Sequence, residues 1–118
     1  MQPEERDRDA LMDMYQYALE VVELIAGFEP QEFADDLRTR RAVQYSLLAI
    51  GEAATRVSSD FRASSPHIAW QRIIDQRHVL AHHYDGIRFD SIWMAATRHV
   101  PELIEQLREL TGEGRSPA

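Results

Sequence analysis

The feature that most constrains this chain is a run of apolar residues spaced by three and four over almost its whole length, interrupted at only a few points. Leu11, Met14, Ala18, Val21 (or Val22) and Ile25 form one stripe, and Val43, Leu47, Ile50, Ala54 and Val57 form a second, stepping by 4, 3, 4 and 3. Such spacing places side chains on one face of an α-helix. A third stripe runs through Trp70, Ile73, Ile74 and Leu80, with Ser65 as a candidate N-cap and Pro66 at the first helical position. The last runs from Asp90, a second candidate cap, through Ile92, Ala96, Leu103 and Leu107, and Pro101 inside it predicts a bend. Turn-forming residues cluster at Gly27 to Pro30, Ser58 to Asp60, Ser64 to Pro66, Asp85-Gly86 and after Leu110. No alternating stretch competes as a strand. The expected fold is all-α: an antiparallel bundle of four main helices joined by short loops.

At 118 residues the chain has the length of one domain. Residues 1–110 are expected to form it, and the aperiodic tail 111–118 is expected to be disordered. The absence of cysteine excludes a disulfide framework, a thiolate zinc site and a cysteine nucleophile. No apolar run approaches the ~20 residues of a membrane span. The start, Met1-Gln2-Pro3-Glu4-Glu5-Arg6-Asp7, is unlike a basic-then-apolar signal peptide, so the protein is expected to be soluble and cytoplasmic, without a membrane partner. All 13 basic residues are arginine, which codon bias in the source genome accounts for, and the net charge is -7. A chain this acidic lacks the broad basic face that holds nucleic acid by bulk electrostatics. Phosphate chemistry therefore falls to a few locally placed arginines.

One dense polar cluster stands out. The stretch Arg77-His78-Val79-Leu80-Ala81-His82-His83-Tyr84-Asp85-Gly86 holds three of the five histidines beside an arginine, a tyrosine and an aspartate. A structural reading exists, because histidines near a helix C-terminus interact favourably with its dipole and Gly86 is a reasonable stop. At ~100° per residue, Arg77 and Tyr84 fall nearly on one line, whereas Arg77 and His82 are ~140° out of phase. A site using both requires either a helix that loosens near His82 or a broad groove. A groove between two copies related by a two-fold axis meets the second requirement.

Arg77-x4-His82-x-Tyr84 resembles the R-x4-H-x-Y signature of the HepT-like toxins, members of the HEPN superfamily of small, all-helical, often dimeric ribonucleases. The likeness extends beyond the motif. The segment Arg41 to Ala54, with its Gly51-Glu52-Ala53, resembles the family's second helix, and Pro66 with Trp70 resembles the approach to the motif helix. Two positions depart from the pattern: His78 stands where asparagine is frequent, and His83 where glycine is common.

The resemblance implies a homodimeric, HEPN-like endoribonuclease, the toxin of a HepT/MntA-type toxin–antitoxin pair, acting on RNA without a metal or other cofactor. RNA carries its own nucleophile, the 2′-hydroxyl, so a base and a cation suffice for cleavage. His82 is then the general acid or base, since histidine's unperturbed pKa lies nearest neutrality. Arg77 contacts the scissile phosphate through its planar fork, and His78 orients the phosphate or Arg77. Glu52 either lies exposed or orients Arg77. In such systems the tyrosine matching Tyr84 accepts AMP groups from a cognate minimal nucleotidyltransferase antitoxin, so the same is implied for Tyr84, with a larger hetero-oligomer as a possible assembly. Attached nucleotides would exclude RNA by bulk and negative charge.

Other residues carry less. Asp85, His82 and His83 superficially resemble metal ligands, but neighbours on a helix diverge by ~100°, which argues against a joint site. His67 and His99 have no evident partners. Trp70 and Trp93 read as core or interface anchors rather than stacking platforms. Arg38, Arg40 and Arg41 read either as a solvated helix start or as a rim contact for RNA or a partner protein. Two competing functions keep the fold and lose the catalysis: a subunit that binds a nucleotidyltransferase or a nucleotide, and a plain dimerising scaffold.

Overall fold

The computed structural model describes residues 3–83 and 86–113. Four long helical segments carry the predicted stripes: α1 (Glu5–Ile25), α3 (Leu37–Arg56), α5 (Trp70–His82), and a continuous last segment made of α6 (Phe89–Met94), one wide π turn (Ala95–His99) and α7 (Val100–Thr111). Two six-residue helices, α2 (Pro30–Asp35) and α4 (Ser59–Ser64), were not evident in the sequence. The described residues contain no strand, and no described helix is long and apolar enough to cross a membrane.

Helix α3 packs against α1 on one side and α5 on the other, while α7 lies along α1. The stripe of α3 is buried throughout, from Val43 to Val57, and in α1 the ambiguity resolves to Val21, which is buried while Val22 is exposed. The short helices each seat one fully buried ring. Phe33 on α2 meets Trp93 at 5.1 Å between centroids, and Phe61 does the same work for α4 inside the core. Burying an aromatic of this size stabilises by about 1.5–3 kcal/mol, which fixes elements too short to hold on propensity alone.

Three boundaries differ from expectation. The third helix starts at Trp70, not Ser65. Ser65 instead ends α4, whose N-cap is Ser58, because a residue before proline is disfavoured in the helical region. The carbonyl of Ser65 accepts from Ile68 N (3.2 Å) and Trp70 Nε1 (3.0 Å), so the corner 65–70 anchors the start of α5. The cap of α6 is Arg88 rather than Asp90. Asp90 sits within the first turn, where its carboxylate accepts from Ser91 N and from Arg88. The bend expected from Pro101 takes the form of the π turn just before it, closed by Val100 N donating to Ala95 O. Proline lacks an N–H and its ring crowds the carbonyl four residues back, here Thr97; widening that turn relieves the clash. At the far end α7 extends through Thr111, which is buried, and stops at Gly112 in the left-handed region (φ +75°), whose N–H bonds Arg108 O. Residues 114–118 of the predicted tail lie outside the described residues.

Asp7 pins the start of α1 to the α3–α4 corner. It is 5% exposed and accepts from Ser58 N (2.8 Å) and Ser58 Oγ (2.7 Å). The Arg8 guanidinium donates to Thr111 O across the molecule. Both contacts tie the chain ends to the frame that supports α5.

Candidate active site

The site is built where α5 presses on α3. Gly51 permits this: a Cβ there would stand 2.2 Å from Arg77 Cβ and 3.2 Å from Arg77 Cα, so only glycine lets the backbones approach so closely. The next residue, Glu52, then reaches Arg77. Its Oε1 accepts from Arg77 Nε at 2.8 Å and from Nη2 at 2.7 Å. The pair is partly open, with side chains 32% (Arg77) and 50% (Glu52) exposed. Two of the five guanidinium N–H groups are thereby engaged, leaving three for a ligand. Glu52 is thus exposed and at the same time in contact with Arg77, so both readings of it keep a footing in the geometry.

His78 and His82 lie one turn apart on the exposed side of α5, with ring centroids at 4.5 Å and planes at 53°. The helix stays α-helical through His82 and ends there, with His83 N donating to Val79 O at 2.8 Å. Thus α5 does not loosen at His82. Among the described residues Arg77 and His82 make no hydrogen bond to each other, as their ~140° phase difference on a straight helix requires. Tyr84 and Asp85 lie outside the described residues. Among the described residues no group of three histidine, aspartate or glutamate side chains is placed to hold a metal ion.

Beside the pair, a cavity of about 290 Å³ is lined by Asp13 and Tyr17 of α1 and by Tyr45, Leu48, Glu52 and Arg56 of α3. Tyr17 and Tyr45 meet edge to face at 6.3 Å, and Arg56 bonds Asp13 at 2.8 Å. The neighbouring Tyr45 phenol, and more weakly burial with the Glu20 and Asp13 carboxylates, hold the Tyr17 phenol above its ordinary value. This open aromatic wall was missed in the sequence; its signal is a second 3–4 spacing on α3, through Tyr45, Leu48, Glu52 and Arg56. The two tryptophans serve the core: Trp70 is buried and donates to Ser65 O, and Trp93 packs against Phe33 with the rings tilted by 43°. The His67 carbonyl accepts from Gln106 Nε2. His99 lies in the π turn, where burial, then Arg72 and Arg98, lower its pKa against a smaller opposing effect of Glu102.

The family description "Ribonuclease HepT-like" matches residues 14–110. The chain belongs to the HepT-like ribonuclease family. Curated relatives agree in length as well as in sequence. A protein of Methanocaldococcus jannaschii provisionally named as an RNase is 31% identical over 108 residues, covering 92% of this chain and 89% of that protein. A similarly named protein of Caldanaerobacter subterraneus is 31% identical over 90 residues, 76% of this chain and 80% of its own. A probable ribonuclease HepT of Thermococcus cleftensis is 32% identical over 97 residues, 76% of this chain and 88% of its own. No solved structure matches the chain. The motif residues Arg77 and His82 and the Gly51-Glu52 contact all lie inside the matched span.

Proposed function

We propose that this HepT-like protein is a metal-independent endoribonuclease, the toxin of a toxin–antitoxin pair, with a site completed by a second copy of the chain. The observation that carries the reading is the Arg77 guanidinium, fixed by Glu52 over Gly51 with three N–H donors to spare, on the same helix as an exposed His82. In the reaction His82 of one copy removes the proton from the 2′-hydroxyl, whose oxygen attacks the adjacent phosphorus. The bond from phosphorus to the 5′-oxygen breaks, and that oxygen takes a proton from the other copy's histidine. The products are a 2′,3′-cyclic phosphate and a 5′-hydroxyl. Arg77 stabilises the charge that builds on the non-bridging oxygens, an effect of about 3 kcal/mol for one well-placed donor, and a positioned acid or base adds ~10²–10⁴ in rate. Two copies answer the phase problem, since one helix cannot turn both Arg77 and His82 toward a single phosphate.

Cleavage of RNA in EDTA, leaving 2′,3′-cyclic phosphate or 3′-phosphate ends, tests the proposal. His82→Ala is expected to abolish it, and equal cleavage by that variant refutes the assignment. Control of the toxin is assigned to a cognate minimal nucleotidyltransferase that adds AMP to Tyr84. Co-expression with that partner is expected to raise the mass by one or more AMP units, and Tyr84→Phe to lose the increment; an unchanged mass in the active pair refutes this part.

A further inference from the structure

Tyr45, Leu48, Glu52 and Arg56 follow one another at helical spacing along one face of α3, and with Asp13 and Tyr17 of α1 they line the cavity of about 290 Å³ beside Arg77. Tyr45 is 59% exposed. Tyr17 braces it edge to face at 6.3 Å, so the ring is held in place while most of it stays open. Both carboxylates at this wall are matched by a guanidinium: Asp13 by Arg56 at 2.8 Å and Glu52 by Arg77 at 2.7 Å. The surface is therefore aromatic and close to neutral, and Glu52 belongs both to it and to the contact that holds Arg77. On the other side of Tyr45 is a cavity of about 570 Å³ bordered by Glu20 and Glu23, whose charge turns a polyanion toward the Glu52 side.

We propose that the Tyr17–Tyr45 wall is a nucleobase subsite, in which Tyr45 stacks a base of the RNA strand whose phosphate lies at Arg77. The proposal rests on the ribonuclease reading for its substrate and deepens it. The space fits: about 290 Å³ is the share of roughly ten waters at ~30 Å³ each, room for one base ring system. The chemistry fits as well. Every base has a π face, so stacking on an aromatic side chain is tolerant of sequence, and it draws nothing from the positive charge that a chain of net charge -7 lacks. Tyr45 and Glu52 are seven residues apart, ~10 Å along the helix axis. That is about three steps of a stacked strand at ~3.4 Å per nucleotide, so the base belongs to a nucleotide within about three of the scissile bond. A protein occupant is the poorer match: two tyrosine rings supply at most ~500 Å² of contact, against the ~800 Å² per partner of a stable protein interface.

The test uses the full chain carrying His82→Ala, so that the RNA stays intact. A short single-stranded RNA with one 2-aminopurine, moved position by position, reports stacking through quenching of its fluorescence. Quenching is expected at one position, kept when Tyr45→Phe is added and lost with Tyr45→Ala. At constant salt Tyr45→Ala is expected to raise the Kd for unmodified RNA about five- to a hundredfold. An abasic nucleotide at the quenched position is expected to weaken binding by a similar factor when Tyr45 is present and to have no further effect in Tyr45→Ala. Because Tyr45 is exposed, the thermal midpoint and the sedimentation coefficient should stay those of the parent protein. Quenching that survives Tyr45→Ala, or an unchanged Kd, overturns the proposal. A changed sedimentation coefficient in Tyr45→Ala assigns the wall to contact between copies of the chain and overturns it as well. With His82 intact, absence of cleavage beside Tyr45-dependent quenching removes the catalytic reading and leaves the base subsite, whereas cleavage without Tyr45-dependent quenching removes the subsite alone. Failure to bind RNA at all removes both.

Discussion

Replacing Gly51 by alanine tests whether the α3–α5 approach sets the position of Arg77. The new methyl would lie 2.2 Å from Arg77 Cβ, 2.8 Å from Cγ and 3.2 Å from Cα. Carbon atoms pack best at about 3.5–4.0 Å, so relief demands a separation of roughly 1.5 Å. Rotating the arginine cannot supply it, because Cα and Cβ move only with the α5 backbone. Overpacking of this kind costs about 1–3 kcal/mol, while alanine recovers about 0.8–1 kcal/mol of helix propensity over glycine. The net loss is about 0–2 kcal/mol, a fall in Tm of at most roughly 10 °C. Cleavage should suffer more. A displacement near 1 Å costs about 10² in rate, and because Arg77 acts on charge that develops during reaction, kcat and kcat/KM should fall together. Initial rates on a fluorogenic RNA, beside thermal melts by circular dichroism, measure both. Gly27→Ala serves as the control: Gly27 has φ +83° and nothing within 4 Å of an added Cβ, so it should cost about 1–2 kcal/mol through the backbone alone and leave cleavage unchanged. A Gly51→Ala protein with wild-type Tm and kcat/KM within about threefold of wild type would refute the reasoning.

Three further outcomes follow from individual contacts. Glu52→Gln removes a half-exposed ion pair and should cost at most about 1 kcal/mol of stability, yet lower cleavage about tenfold or more by freeing Arg77; wild-type kinetics would show that Glu52 does not position it. Asp7→Ala removes the charged acceptor of the Ser58 N–H and hydroxyl and should cost about 1–2 kcal/mol, read from urea unfolding, with a loss under ~0.5 kcal/mol counting against the corner. The folded pKa of His99 is lowered, so the unfolded chain binds more protons as pH drops below the ordinary histidine value. Its contribution is therefore complete above about pH 6.5 and is lost as pH falls through that value toward the folded pKa. Arg72, Arg98 and Glu102 face His99, and Asp90 lines the same cavity. His99→Gln should flatten this part of the profile, and an unchanged slope would assign it elsewhere.

The stripes of α1, α3, α5 and the last segment were legible because burial imposes the helical period over several turns. Helices α2 and α4 were not, since six residues complete fewer than two turns and each buries a single phenylalanine. The signals at Ser65-Pro66 were real but ambiguous: the same serine that can open a helix here closes one, and only the Trp70 indole bonding its carbonyl decides between them. Asp7 was not singled out in the sequence, and nothing local shows that Ser58, 51 residues away, turns it inward. The site divides in the same way. Arg77 and His82 stood out in the sequence as members of one polar cluster, and their expected roles, like the weight given to Gly51-Glu52, came from the resemblance to the family rather than from spacing. The engagement of Glu52 depends on how α3 and α5 cross, which no single segment encodes.

The charge balance at Arg77 leads to a last expectation about how RNA is held. On a chain of net charge -7, the Arg77–Glu52 pair is close to neutral as a unit, so it adds little long-range attraction for a polyanion. Its three unengaged N–H groups still act at contact distance, where direction and partial dehydration count for more than net charge. Binding at this site should therefore depend weakly on salt. A single-stranded RNA loses about 0.7 in log K per log unit of salt for each phosphate neutralised, so one or two contacts from each of two copies predict a slope of roughly -1.4 to -2.8 rather than the steeper dependence of a basic groove. Fluorescence anisotropy of a labelled RNA on His82→Ala protein across a salt series measures it. A slope of about -4 or steeper would reveal a wide cationic face, and the focal site built on Arg77 would then be the wrong description of how this protein engages RNA.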